Sequence, residues 1–232
     1  MSLDFQVKTR FLLLASLVAL RAYAAPEPAP SAQEILRSVR MNQLSQQQTL
    51  KGQLRCGPTK LPFRMVLDGP QVQYEFTAPP EKIVLHLGDN DARLSDVTKE
   101  GTERVSGKKF ADSVRGTDIS YEDLSLRFLY WQRAAVEKDD SILMRKCWVV
   151  RVEPPAGSDS QYSRVLLWID KDAAALMQAE AYDRSGKFAR RFKVISGQKF
   201  QGMWYLKEMR IEAPAGGTKD KMPTYLDVEV EK

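Results

Sequence analysis

The chain has 232 residues, 43% hydrophobic and 9% aromatic, which suffices for the core of one globular domain and argues against disorder along its whole length. Its formal charge is +5, of which Lys8, Arg10 and Arg21 against Asp4 supply a net +2 within the first 24 residues, leaving +3. No cluster of Lys and Arg interleaves with aromatics in the way a phosphate-tracking groove needs, so nucleic acid is not expected as a partner.

At the N-terminus Lys8 and Arg10 precede an apolar run from Phe11 to Leu20, and Ala22-Tyr23-Ala24 supplies the small-x-small pattern that a signal peptidase reads. Residues 1–24 are therefore expected to be a cleaved signal peptide. The run ends at Arg21, short of the roughly 20 apolar residues of a membrane span, and the product is expected in the periplasm. Residues 25–30 read as a proline-rich linker, and 31–232 as a single domain. Ser31 followed three residues later by Glu34 is a capping box, with Ile35, Val39 and Leu44 as a narrow apolar stripe. The spacing predicts a helix from about Ala32 to Gln47.

From Leu50 to about Asp112 the pattern is one of short strands. Leu61, Phe63, Met65 and Leu67 alternate with more polar neighbours, as do Val72, Tyr74 and Phe76, then Ile83, Leu85 and Leu87. Asp68-Gly69-Pro70, Pro79-Pro80 and Gly88-Asp89-Asn90 separate them. A helix is predicted from about Thr117 to Val136, capped by Asp118 or Ser120. Its Tyr121, Leu124, Phe128 and Trp131 recur at intervals of three and four and give it an aromatic face. Such a helix is either a lid or the filling of a dry core. The meander resumes from Ile142 to Glu212, where Phe188, Arg190, Phe192 and Val194 share one face of a strand. About eleven strands are too many for a flat sheet. The expected fold is α+β, mainly antiparallel β: an unclosed, strongly curved β-barrel with an N-terminal helix and a mid-chain helical lid.

Little in the chain points to chemistry. His86 lies between Leu85 and Leu87 on an alternating strand, as a sheet-surface or packed histidine does, and with Cys56 and Cys147 it would make a metal set lacking close spacing. No nucleophile elbow or glycine-rich phosphate loop is present, so neither catalysis nor a cofactor is expected. A secreted hydrolase with two dispersed carboxylates is the weaker alternative. In an oxidising compartment Cys56 and Cys147 can bridge, closing a loop of about 90 residues worth roughly 4 kcal/mol, or remain buried thiols. Strand parity, and for Leu124, Phe128 and Trp131 the aromatic face of the predicted helix, nominates Phe63, Met65, Tyr74, Phe76, Leu85, Leu124, Phe128, Trp131, Trp148, Trp168, Phe188, Phe192 and Trp204 as inward-facing, lining a ligand cavity or filling a core. Parity alone does not separate a lined cavity from a packed core.

The order of several short motifs carries a resemblance. Gly116-Thr117-Asp118-Ile119-Ser120-Tyr121-Glu122-Asp123-Leu124 is followed by Cys147-Trp148-Val149-Val150 and Val165-Leu166-Leu167-Trp168-Ile169-Asp170-Lys171. Ala181-Tyr182-Asp183-Arg184-Ser185-Gly186 and Gly202-Met203-Trp204-Tyr205 complete the series. With its leader and first helix, the chain resembles the LolA-like outer-membrane lipoprotein-sorting proteins over most of residues 31–232. The resemblance implies an open antiparallel barrel lidded by helices, whose apolar interior takes up acyl chains of lipoproteins or other lipids for passage toward the outer membrane. It also implies an inner-membrane transporter as donor, an outer-membrane acceptor, transient membrane contact and a monomeric carrier. Arg115 lies just before the lid segment and Arg127 within it, and nothing in the sequence assigns either a role there. The alternative of another class is an envelope sensor that uses the same curved sheet to hold a protein partner.

Overall fold

A computed structural model describes residues 29–214 and 222–231; the signal-peptide reading of residues 1–24 and most of the linker lie outside the described residues. Helix α1 (Ala32–Leu44) starts where the capping box places it, with Ser31 Oγ accepting from the Glu34 amide and Glu34 accepting from the Ser31 amide. It ends at Ser45, earlier than the predicted Gln47, because Gln47 already pairs with Asp68 in the sheet. Ile35, Leu36 and Val39 form its buried stripe.

Among the described residues thirteen strands form one antiparallel sheet: β1 (Gln47–Cys56), β2 (Thr59–Asp68), β3 (Gln71–Thr77), β4 (Pro80–Leu87), β5 (Ala92–Thr98), β6 (Gly101–Arg104), β7 (Arg133–Ile142), β8 (Arg145–Glu153), β9 (Tyr162–Asp170), β10 (Leu176–Asp183), β11 (Phe188–Phe200), β12 (Met203–Glu212) and β13 (Thr224–Val230). The order runs β6-β5-β4-β3-β2-β1-β13-β12-β11-β10-β9-β8-β7. Neighbours in sequence pair everywhere except between β6 and β7, and β1 meets β13 in the middle. The edges β6 and β7 do not pair with each other, so the barrel is unclosed. Those edges are also consecutive in the chain, and residues 105–132 must span the gap between them.

That segment is not the long helix expected from Thr117 to Val136. Helix α2 covers only Tyr121–Ser125, under a Ser120/Asp123 capping box, and Leu126 then adopts a left-handed φ of 51° that breaks it. A short 3-10 turn over Arg127–Tyr130 follows, and Val136 already belongs to β7. Chain connectivity overrides the aromatic periodicity: a straight helix of twenty residues would be about 30 Å long and would consume Arg133 to Val136, which β7 needs to start its pairing with β8.

Burial divides into two clusters on the concave side. One joins β1 to β5, β12 and β13 with Phe110, Val114, Ile119 and Tyr121 of the connecting segment. The other joins α1 and residues 128–131 to β8, β9 and β10. A third, smaller cluster of Ile142, Cys147, Val149 and Trp168 lies on the opposite face of the sheet. Cys56 and Cys147 are free thiols, separated by five intervening strands. Strands lie about 4.8 Å apart and a disulfide needs Cα atoms within about 7 Å, so the bridge is ruled out in this fold.

Candidate functional site

The two clusters do not close on each other. Between them lies a cavity of about 620 Å³. Its walls come from alternate residues of the concave face, including Leu50 and Leu54 on β1, Phe63, Met65 and Leu67 on β2, and Tyr74 and Phe76 on β3. Phe192 and Val194 on β11, Met209 and Ile211 on β12 and Leu226 on β13 complete them. Phe63 fits only because Gly52 stands opposite it on β1; a Cβ there would lie 2.2 Å from the ring. Tyr74 is half-buried on this wall, and desolvation pushes the pKa of its phenol up to about 12.

One end of the cavity is closed. The turns at this end include the β8–β9 and β10–β11 connections, and the segment bridging β6 to β7 is fastened across it, with Val114, Ile119, Leu124 and Leu126 as the floor. Arg190 on β11 donates to the Asp118 carbonyl and, at 3.2 Å, to Asp123 Oδ2. Asp123 also accepts from the Ser120 amide and from the Tyr162 hydroxyl at 2.6 Å, while Thr224 donates to Asp118 Oδ2. Arg115 donates to the Ala78 and Pro79 carbonyls and pairs with Glu81 at 2.6 Å; Arg127 pairs with Asp159 at 2.8 Å. Glu122 is wholly buried, and desolvation raises its pKa although Ser160 and the Gln161 amide oppose the shift. Its Oε1 has no hydrogen-bond partner among the described residues.

The other end is open. There the lining passes Asn42 and Gln43 in the last turn of α1 and Gln46 just after it, Leu143 in the β7–β8 turn, residues 173–175 in the β9–β10 turn, and Met203 and Trp204 after the β11–β12 turn. Arg145 and Asp170 form a two-pronged ion pair at 2.5 and 2.9 Å on this rim. Burial alone would raise the Asp170 carboxyl, but Arg145 and the amides of Ala173 and Asp172 outweigh it and hold the pKa below the ordinary value.

Of the residues nominated from parity, Phe63, Met65, Tyr74, Phe76, Leu124, Phe128 and Phe192 come together on the cavity wall, and Trp204 stands on its rim, 63% exposed. Five lie elsewhere. Leu85 is fully covered within the first cluster. Trp131 is packed in the second, with Gln33 Nε2 donating to its carbonyl beneath α1. Trp148 packs beside that cluster near the β7 edge, under the Lys171 ammonium. Trp168 faces the other side of the sheet, donating to Asp140 at 2.9 Å, since Leu167 and Ile169 take the inward positions of a strand apolar on both faces. Phe188 is turned outward by a bulge: Arg190 pairs with Ala181 but Phe188 with Tyr182, so one extra residue of β11 reverses the parity. Its ring packs edge-on against Tyr182. His86 is exposed on β4, with its Nδ1 3.5 Å from Gln71. Among the described residues no group of three His, Cys, Asp or Glu is placed to hold a metal ion.

Arg190 is the residue that sequence reasoning passed over. The signal was its position, a lone cation among Phe192 and Val194 on the apolar parity of β11. A charge there needs a buried partner, and the connecting segment supplies it.

A family model described as "Uncharacterized protein" matches residues 89–229, from the β4–β5 turn into β13. No curated protein matches the sequence. Solved structures do. A putative outer membrane lipoprotein-sorting protein domain from Vibrio parahaemolyticus superposes with a TM-score of 0.68 at 16% identity, covering 86% of this chain and 92% of that one. A DUF1329 family protein from Desulfovibrio piger gives 0.65 at 20% identity, with 85% and 90% covered. A LolA superfamily protein from Nitrosomonas europaea gives 0.61 at 16% identity, with 87% and 92% covered. The unclosed sheet, its lidded end and these superpositions make the fold LolA-like, and the match over residues 89–229 places the chain in the family that the model describes.

Proposed function

We propose that the chain is a periplasmic carrier, released from a signal peptide at Ala24, that takes acyl chains of lipoproteins or other lipids into the cavity and moves them toward the outer membrane. The observation behind this reading is the cavity itself, about 620 Å³ of space lined mainly by carbon, floored at one end and open at the other. Each methylene withdrawn from water gains about 0.8 kcal/mol, so a dozen gain roughly 10 kcal/mol before the cost of immobilising the chain is subtracted. No reaction is required of such a site. An open mouth also lets cargo leave without unfolding the wall. The name of the Vibrio parahaemolyticus neighbour, a putative lipoprotein-sorting domain, agrees with it.

The test is twofold. Lipid should appear in an organic extract of the purified protein by mass spectrometry, and a fluorescent fatty acid should bind saturably. Val194→Trp places a large ring in the cavity without burying a charge and is expected to weaken that probe about tenfold or more, because the ring takes up space that the probe would occupy. A protein that carries no lipid and ignores the probe sinks the proposal; a stable protein partner held over an empty cavity favours the sensor reading.

A further inference from the structure

The large apolar side chains that this protein leaves in water are not scattered. Among the described residues eight are exposed, and five of them, Met41, Leu143, Met144, Met203 and Trp204, stand at the open end. Strand order fixes this placement, because in an antiparallel meander the β7–β8, β9–β10 and β11–β12 turns all fall on one side, as does the passage from α1 into β1. Leu143 and Met144 form the whole tip of the β7–β8 hairpin, between the paired Ile142 and Arg145. Met203 and Trp204 open β12, across from Phe200 and Lys199. The cavity mouth lies between the two tips.

The first tip is held against local preference. Both of its residues are left-handed, Leu143 at φ 50° and Met144 at φ 61°, in a two-residue turn that asparagine and glycine suit far better. Strain of this kind persists where something requires it. Packing does not, since Met144 is 98% exposed and Leu143 52%. The two-residue turn itself requires the left-handed backbone, so what local preference leaves unexplained is the choice of leucine and methionine there.

A protein partner of ordinary kind needs about 800 Å² on each side with a continuous packed centre. Two tips parted by the β9–β10 turn and a cavity mouth offer two points, not a face. A bilayer demands no matching shape. Leucine and methionine dip into the acyl boundary, tryptophan settles at the headgroup level, and the exposed Lys146 and Lys199 beside the tips meet lipid phosphates. We propose that the open end docks on a lipid bilayer through Leu143-Met144 and Met203-Trp204, with the cavity mouth facing the membrane. This docking is independent of what the cavity holds.

The experiment is co-sedimentation of the purified chain with vesicles of phosphatidylcholine and phosphatidylglycerol, repeated with brominated acyl chains that quench tryptophan only inside the bilayer. The wild-type chain is expected to sediment and to be quenched. Leu143→Asp combined with Met144→Asp should lower vesicle affinity about tenfold or more while leaving the far-ultraviolet circular dichroism unchanged, because both side chains are exposed. Trp204→Phe should keep sedimentation and lose most of the quenching. Val194→Trp should still sediment although it loses the fatty-acid probe, so docking and cargo binding fail separately. A wild-type chain that ignores these vesicles overturns the proposal, as does equal binding by the aspartate variant, binding without quenching, or tips that instead hold a second protein molecule.

Discussion

The two ends of the barrel are built from opposite materials. At the closed end polar groups are buried and multiply bonded: Asp123, 6% exposed, gathers donors from Ser120, Tyr162 and Arg190. At the open end carbon is exposed and scarcely packed, with Met144 and Trp204 standing in water. A solid domain sorts polar groups outward and carbon inward. A hollow one cannot rely on core packing to fix its floor, so it uses directional bonds there, and it leaves carbon where the wall must meet something outside itself. Stability should therefore be concentrated at the floor and recognition at the rim.

The strongest way to break that contrast is Arg190→Met. It leaves the Asp123 carboxylate, whose side chain is 2% exposed, with neutral donors alone, and removing one partner of a buried pair costs about 3–5 kcal/mol. The expected result is a large fall in the urea midpoint, with amide exchange accelerating first in residues 117–125; a change under about 1 kcal/mol would mean that the floor is held by packing after all. Gly52→Ala comes next. The added methyl meets the Phe63 ring and drives it into the cavity, an overpacking worth about 1–3 kcal/mol, and it should reduce both the urea midpoint and the volume open to a fatty-acid probe. A smaller effect of opposite sign is expected at the rim. Exchanging Leu143-Met144 for Asn-Gly relieves two left-handed residues and should raise stability by about 1 kcal/mol, while removing half of the exposed tips.

The same contrast explains what could be read from the sequence. Helix α1 was legible because its cap is local, Ser31 and Glu34 satisfying each other within one turn. The walls were legible where strands alternate cleanly, as at Phe63, Met65, Tyr74 and Phe76. Trp168 was not, since Leu166 to Ile169 is apolar at every position and parity then carries no direction. Phe188 was misplaced by a bulge, which leaves no mark in an alternating pattern. The lid's position was legible but its single long helix was not: Tyr121, Leu124, Phe128 and Trp131 repeat like a helix, but the need to join edges β6 and β7 sets the path, and Leu126 yields to it. Local chemistry was visible, and long-range closure was not.

The finest test of the comparison is acid and base. Glu122 lies at the closed end with a raised pKa, caused first by desolvation, so its contribution to stability is full below its ordinary value of 4.5 and is lost as pH rises through the folded value. Asp170, on the rim, has a lowered pKa under the hold of Arg145 and two amides; its contribution is full above its ordinary 3.8 and is lost as pH falls through the folded value. Glu122→Gln keeps an acceptor for the Gln161 amide but cannot ionise. Relative to the wild type it should therefore gain in urea midpoint on going from about pH 5 to about pH 8, whereas Asp170→Asn should lose stability over its own window and approach the wild type in strong acid. Parallel pH profiles for the two variants would mean that floor and rim share one electrostatic environment, and the division of labour between the ends would have to be abandoned.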